Sequence, residues 1–241
     1  MGMVEECHGE DFEWHPTFSA PADVCFAGTA RRRTFVHGFN TKFSQCLMDP
    51  ASLLDAIAET LPLNACTRPA DYFLAPKIEV QNEAAQVAFR RKITFQPGHA
   101  DLTYLLTEQE WKSLQKCETE YARRYDRPAS KDPNLVIFLG DDAVSFIITW
   151  SAVSGAIPTY RNNAKTGIFW SPFRKRFMTS REKLASMSWP VVAPIADGLG
   201  TPVLPTLDIV RAGDMAGRGM HLISVAIHQL VALACFGPKD M

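Results

Sequence analysis

Apolar residues recur at helical spacing early in the chain. Near the start of residues 48–62, Asp49 suits an N-cap and Pro50 suits the first helical position. The apolar face that follows consists of Leu53, Leu54, Ile57, Ala58 and Leu61. Pro62 suits the end of such a helix, so the pattern predicts an amphipathic helix over this stretch.

Residues 106–125 predict a second, longer helix. Thr107 and Glu110 have the spacing of a capping box, in which each side chain accepts a backbone N–H of the other residue. The expected apolar stripe consists of Trp111, Leu114, Cys117 or Glu118, and Tyr121. A shorter helix is expected to begin at Thr179 or Ser180.

Alternating apolar residues predict strands in two further stretches. Strand-like positions on either side of the Pro97-Gly98 turn are occupied by Val87, Phe89, Ile93, Phe95, Leu102, Tyr104 and Leu106. Residues 135–150 are strongly apolar on both sides of Gly140-Asp141-Asp142. Each stretch therefore predicts an antiparallel hairpin.

The order of these elements predicts an α+β fold, because helices and antiparallel hairpins interleave without a strict βαβ rhythm. The longest strongly apolar stretch, residues 219–236, contains His221 and His228 and predicts a buried C-terminal helix rather than a membrane span. We expect a single domain over residues 1–241, with a division into two subdomains near residues 126–134, whose composition is typical of an exposed linker.

The composition indicates the cellular compartment in which we expect the protein. Apolar residues make up 46% of the chain and charged residues 21%, as in folded proteins. The first residues show neither the basic nor the apolar region of a secretory signal. The six cysteines include no C-x-x-C pair, which argues against a zinc cage or a disulfide scaffold. We therefore expect a cytoplasmic protein with reduced thiols and no membrane association.

Charge is unevenly distributed. The net charge is −1, but residues 1–30 contain six acidic residues and no Lys or Arg, so they carry −6 and the remainder +5. The segment 168–183 is basic and aromatic, a mixture found in nucleic-acid sites, although the overall acidity weakens that interpretation. We expect contact with a protein partner through Glu5, Glu6, Glu10, Asp11, Glu13, Trp14, Trp170, Arg174 and Arg176.

One short motif raises the question of hydrolysis. Residues 35–40 resemble the oxyanion loop of α/β-hydrolases, in which a strand runs into His-Gly. That family also implies a nucleophilic serine in G-x-S-x-G, and no serine of this chain has glycine two residues before it. We therefore interpret His37 as a polar residue at a strand end, with Gly38 making the turn.

Metal and cofactor binding have little support in the sequence. Cys7, His8 and His15 lie close together, but their spacing matches no common zinc site. His221 and His228 are seven residues apart, roughly 10 Å along a helix, which is too far to share one ion. We interpret both as core-edge histidines with hydrogen-bond partners, and we expect no metal and no cofactor.

A glycine-rich segment offers a possible anion site. Three glycines, Gly213, Gly217 and Gly219, precede the predicted last helix and are accompanied by Arg211 and Arg218. Backbone N–H groups at a helix start can hold phosphate. The spacing matches neither of the common phosphate-binding fingerprints, so the alternative interpretation is a flexible connector.

These patterns contain no complete catalytic constellation, so an enzyme is not favoured. The leading hypothesis is a protein-binding protein, most concretely an immunity protein that neutralises a bacterial toxin with a basic cleft. The main alternative is an enzyme that acts on a phosphate-bearing small molecule, held by Arg211, Gly217, Arg218 and Gly219 together with the basic segment. A nucleic-acid-binding module is the second alternative.

Overall fold

A computed structural model describes residues 11–63, 65–142, 147–161 and 168–239. In chain order the elements are β1 (Phe12–Ser19), β2 (Arg33–Asn40), β3 (Ser44–Cys46), α1 (Pro50–Thr60), α2 (Lys77–Arg91), α3 (Glu108–Tyr125), β4 (Ile137–Phe138), β5 (Phe169–Ser171), β6 (Arg176–Phe177), α4 (Ser180–Ser186), α5 (Ala193–Gly198), α6 (Ile209–Arg218), α7 (Leu222–Cys235) and β7 (Phe236–Pro238). All strand pairs are antiparallel. The predicted α+β class is confirmed.

The chain divides into two compact units. Unit 1 comprises Met1–Phe26, Arg31–Cys66 and His221–Met241, and unit 2 comprises Ala27–Ala30 and Thr67–Met220. In unit 1, β1 pairs with β2 and β3 pairs with β7, and helices α1 and α7 complete the described part. Unit 2 contains the three-stranded sheet β4-β5-β6 and helices α2 to α6.

Capping residues predicted from the sequence do start their helices. The Asp49 carboxylate accepts the Ser52 N–H at the start of α1 (2.9 Å). Capping boxes start α3 at Thr107 and α4 at Thr179. On α3, Leu114, Cys117 and Tyr121 are buried as expected, whereas the predicted Trp111 is half-exposed and lies off the buried stripe.

The hairpin predicted over residues 87–106 is wrong. Its first part belongs to helix α2, and its last part contains a 3-10 helix at Thr103–Leu105. The buried residues of α2 include Val80, Ala84, Val87 and Ala88, which have helical spacing, whereas Phe89 is 85% exposed. The alternation of Val87 and Phe89 was therefore the misleading signal, because it came from one buried and one solvent-facing helical residue.

The antiparallel pairing of the second predicted hairpin is confirmed over its described residues, but its second arm pairs through a single bridge, Ile137 to Trp150, and forms no strand there. Phe138 N–H donates to the Thr149 carbonyl and Ser151 N–H donates to the Val136 carbonyl, both at 2.9 Å. These bonds pair the chain on the two sides of Gly140–Asp142, and residues 143–146 lie outside the described residues. On its other side β4 pairs with β5.

The segment 126–134 lies inside unit 2. Ala129 is buried, and the Asp132 carboxylate accepts hydrogen bonds from Tyr121 Oη (2.6 Å) and Arg127 Nη2 (2.8 Å). The segment therefore packs on α3 and does not separate the two units. The grouping of the whole chain into one domain stays a prediction.

The end of the chain differs in detail from expectation. The glycine-rich segment is not a connector but part of helix α6, because Gly213 and Gly217 lie inside it. Helix α7 buries one face, including His228 and Val231, but leaves Leu233 78% exposed. Within the described residues no single helix is long and apolar enough to cross a membrane, and only α6 and α7 taken together reach that length and hydropathy.

Candidate functional site

A cavity of about 440 Å³ in unit 2 is the candidate site. Its polar lining consists of Glu83, Arg90, Arg91, Ser180, Lys183 and Asp214. Its apolar lining includes Val87, Ile168, Phe177, Ile209 and Val210. The site is large enough for a small organic molecule and combines charged groups with an apolar wall.

Two segments singled out in the sequence meet at this cavity. The basic segment 168–183 contributes Ser180 and Lys183, and the glycine-rich segment contributes Gly213 and Asp214. Helix α2 contributes Glu83, Arg90 and Arg91, which the sequence reasoning missed because it took part of α2 for a strand. The helical spacing of Val80, Ala84 and Val87 was the available signal.

The start of helix α4 is held by buried hydrogen bonds. Glu182, whose side chain is fully buried, accepts the Thr179 N–H (2.9 Å) and the Ala75 N–H (2.9 Å). Arg176 donates to both carboxylate oxygens of Glu182, at 2.8 and 2.7 Å. This bidentate pair fixes the first turn of α4, and with it the positions of Ser180 and Lys183.

Glu83 faces the same turn. Its carboxyl oxygens accept the Ser180 N–H (2.9 Å) and lie 3.1 Å from Ser180 Oγ. Burial raises the pKa of Glu83, although the nearby Lys183 charge and the Ser180 hydrogen bonds oppose the shift. Ser180 Oγ also lies 3.2 Å from the Ile209 carbonyl. A protonated Glu83 can donate to Ser180 Oγ while that hydroxyl donates to Ile209, so the pocket wall accommodates the neutral acid.

Lys183 lines the same cavity, but its charge is less well compensated than that of Arg91. Burial lowers its pKa, the Glu83 charge opposes this, and the Arg90 charge adds to it. Within the described residues no carboxylate oxygen lies within 4 Å of Lys183 or Arg90. The Lys183 Nζ lies 5.8 Å from the centre of the Phe169 ring. By contrast, Arg91 on the same wall donates to both oxygens of Glu110, at 2.6 and 2.8 Å.

The predicted partner-binding residues of the N-terminal arm are only partly described. Glu5, Glu6 and Glu10 lie outside the described residues. Asp11 pairs with Lys42 at 2.5 Å, and Glu13 lies 3.0 Å from His15 Nε2. The Trp14 ring lies over Gly38, where an added Cβ would come within 2.3 Å of it. Gly38 therefore allows the close approach of Trp14 in the middle of β2, and the turn expected at Gly38 is wrong.

The three predicted partner-binding residues of the basic segment have internal roles. Trp170 is 1% exposed and belongs to the core of unit 2, so it offers no surface to a partner. Arg174 donates to the Pro133 carbonyl (3.0 Å), and its guanidinium lies 4.3 Å from the centre of the Phe73 ring. Arg176 is the partner of Glu182. The aromatic and basic pattern came from packing, because these side chains stack or pair inside the unit.

Three of the four predicted anion residues lie at the wrong end of helix α6 for amide binding, and the fourth, Arg211, lies in its first turn. Gly217 and Arg218 are in the last turn of α6, and Gly219 follows as its C-cap. The Gly219 N–H donates to the Met215 carbonyl (2.7 Å), and the Arg211 N–H donates to Asp208 (3.0 Å). A helix C-terminus presents carbonyl groups, so the expected cradle of amides is not formed here.

Possible metal ligands are not grouped in the part of the chain that the structure describes. In that part of the chain no three His, Cys, Asp or Glu side chains are grouped to hold an ion, and Cys7 and His8 lie outside it. His221 and His228 are buried and hydrogen-bonded, as expected. Comparison with known proteins found no matching family model and no matching curated protein.

Proposed function

We propose that unit 2 binds a small organic phosphate in the 440 Å³ cavity. The observation that carries the proposal is Lys183, a cation on the cavity wall with no carboxylate within 4 Å in the described part of the chain. Removing a poorly paired ammonium from water costs on the order of several kcal/mol. For Lys183 the Glu83 and Glu182 charges offset the effect of burial only in part. A bound anion supplies the missing charge.

Two features support a phosphate with an apolar portion. Arg90 lies close enough to Lys183 to lower its pKa, so two like charges act on one cavity. A doubly charged phosphate relieves that repulsion more than a singly charged group does. The wall formed by Val87, Ile168 and Phe177 suits an apolar substituent.

The test is calorimetric titration of the full chain with phenyl phosphate, with phenol as the uncharged control. We expect saturable binding of phenyl phosphate, weakened by about tenfold or more in Lys183→Met, since hydrogen bonds to charged groups contribute roughly 1.5–3 kcal/mol. Lys112→Met, which removes an exposed lysine of α3, is the matched control and should bind normally. Equal binding of phenol and phenyl phosphate, or normal binding by Lys183→Met, would contradict the proposal.

A second candidate is protein binding at unit 1, favoured by the outward face of hairpin β1-β2. Strand alternation places Phe12, Trp14, Pro16 and Phe18 on that face, with Val36 opposite Pro16. Phe18 is 71% exposed. The opposite face is mixed, because it carries Thr17, Ser19 and His37 together with Phe35 and Phe39. The outward face nevertheless exposes apolar surface, and exposed aromatic residues are typical of interfaces.

For this face we propose a basic protein partner, as expected of an immunity protein whose toxin has a basic cleft. Half-exposed Asp11 immediately precedes β1, Glu13 points to the other face of that strand, and residues 1–10 add three acidic residues. The test is co-purification of a basic protein in stoichiometric amount by wild type, by Val36→Lys and by Leu63→Lys. Loss in Val36→Lys alone supports the proposal, and retention in Val36→Lys contradicts it.

A further inference from the structure

The inner face of hairpin β1-β2 in unit 1 holds a cluster of hydroxyl and imidazole groups. Ser19 and Thr17 of β1, His37 of β2 and His228 of α7 are all buried there. These residues lie up to 211 positions apart in the sequence, so no local motif predicts the cluster. Packing against α7 brings them together.

The contacts within the cluster form a continuous chain. Ser19 Oγ lies 2.8 Å from His228 Nε2, and His228 Nδ1 lies 3.2 Å from His37 Nε2. Thr17 Oγ1 donates to the Phe35 carbonyl (3.4 Å) and lies 3.3 Å from His37 Nε2. One proton arrangement satisfies the chain: the Ser19 hydroxyl donates to His228 Nε2, and His228 Nδ1–H donates to His37 Nε2.

Other contacts hold the His228 ring in place. The Phe35 ring stacks on it with centroids 3.6 Å apart and planes inclined by 15°. A base held by an aromatic ring on one face and a hydrogen bond at Nδ1 keeps the orientation that the serine needs. Burial, together with the His37 charge, lowers the pKa of His228 to about 4, so the imidazole is neutral near pH 7 but is a weak base, which slows activation of the serine.

Ser19 and His228 also face an opening. Both line a cavity of about 120 Å³ whose wall includes Leu54, Ile57 and Ile227. That space suits a short acyl group, whose alkyl chain would lie against the apolar part of the wall, while Asp23 and Asp55 form a polar part. A nucleophile, a base and an orienting group beside a substrate-sized space meet the geometric requirements of a serine hydrolase centre.

We infer that unit 1 carries a Ser19–His228–His37 centre that cleaves esters of short-chain carboxylic acids. Ser19 Oγ attacks the ester carbonyl carbon while its proton passes to His228 Nε2. The alkoxide leaves with that proton as an alcohol. A water molecule then attacks the Ser19 acyl ester through the same base, releasing the carboxylic acid and restoring the Ser19 hydroxyl. His37 acts as a positioning residue through its bond to His228.

Turnover should be slow, so covalent labelling is the appropriate readout. The Ala20 N–H, next to Ser19 in the chain, already donates to Asp23 (2.7 Å) and is not free for a developing oxyanion. A fluorophosphonate reports serine activation directly, because the serine oxygen displaces fluoride from phosphorus. The folded full chain should form one adduct, located by mass spectrometry on the peptide containing Ser19.

Variants separate catalysis from structure. Ser19→Ala should abolish the adduct, and His228→Gln should slow its formation by roughly 100-fold, the contribution of a general base. Ser52→Ala, at an exposed serine of α1, should label at the wild-type rate. His37→Gln keeps an acceptor for His228 Nδ1–H and should label faster than His37→Leu at equal thermal stability.

Two results would overturn the inference. One is a folded wild-type chain that forms no adduct at Ser19. The other is an adduct at Ser19 that forms equally fast in His228→Gln, because the serine would then be reacting without its base. Neither result bears on phenyl phosphate binding by unit 2, which involves different residues.

Discussion

In unit 1 the ionisable side chains buried on the inner face of hairpin β1-β2 are His37 and His228, which bond to hydroxyl groups and to each other, whereas around the cavity of unit 2 they are carboxylates and cations. The unit 1 network of Ser19, Thr17, His37 and His228 is neutral and closed by its own hydrogen bonds. Around the unit 2 cavity Arg91 is paired with Glu110, whereas Lys183 and Arg90 have no carboxylate partner within 4 Å among the described residues. We therefore expect the stability of unit 1 to depend on pH, and the cavity of unit 2 to respond to bound anions.

The largest expected effect comes from breaking the buried ion pair beside the cavity. Glu182→Gln should leave Arg176 with an uncompensated buried charge, and we expect unit 2 to lose about 3–5 kcal/mol of unfolding free energy. Chemical denaturation measures this loss. Glu120→Gln, which breaks exposed pairs with Arg123 and Arg124, is the matched control and should change stability little. Equal losses in both variants would show that burial does not distinguish the two pairs.

Acid should destabilise unit 1 selectively. Burial lowers the pKa of His221 and of His228 to about 4, from an ordinary value of 6.5. The unfolded chain therefore binds protons first as the pH falls below 6.5, and stability is lost progressively until about pH 4. The full loss corresponds to about 3 kcal/mol for each histidine.

Hydrogen exchange localises this acid effect. After correction for the intrinsic exchange rate, protection should fall between pH 7 and pH 4.5 in β2 and α7, while α3 of unit 2 changes less. Protonation of His221 Nδ1 also removes the acceptor of the Ser224 N–H (3.2 Å). A uniform loss of protection in both units would contradict the contrast between them.

Replacing the unpaired lysine should raise stability while it removes binding. Lys183→Met keeps most of the side-chain volume and removes a desolvated charge, so unit 2 without ligand should gain about 1 kcal/mol. Denaturation of the wild type and the variant in phosphate-free buffer measures the difference. A loss of stability instead would mean that the ammonium is already well compensated in the free protein.

The smallest expected effect checks the helix that replaces the predicted hairpin. Phe89 is exposed on α2, so Phe89→Gln should change the unfolding free energy by less than about 0.5 kcal/mol. Val87 is buried on the same helix, and Val87→Ala should be clearly more destabilising. Similar losses from the two substitutions would favour the strand interpretation.

The parts of the fold that could be predicted are those with local signals. Asp49, Thr107 and Thr179 cap helices through side chains that act within three residues, so the sequence alone places those helix starts. Helix α6 was missed because Gly213 and Gly217 lower helix propensity, and tertiary packing overrides that preference.

The sites depend on distant residues. The two cavity segments around Ser180 and Gly213 were noticed in the sequence, but Glu83 and Arg90 were hidden by the wrong secondary structure of α2. The sequence predicts His37 as a polar residue at a strand end, whereas it lies inside β2 and its partners are Thr17 and His228. No spacing rule connects these positions, because strand pairing and helix packing bring them together.

The most direct test of the central claim is the pKa of the Lys183 ammonium, measured by NMR titration of the ¹³C-labelled side chain with and without phenyl phosphate. The account predicts a pKa below the ordinary lysine value in the free protein, because burial opposes the charge, and a rise when the anion binds. An ordinary pKa that does not respond to phenyl phosphate would contradict the assignment of this cavity as an anion site.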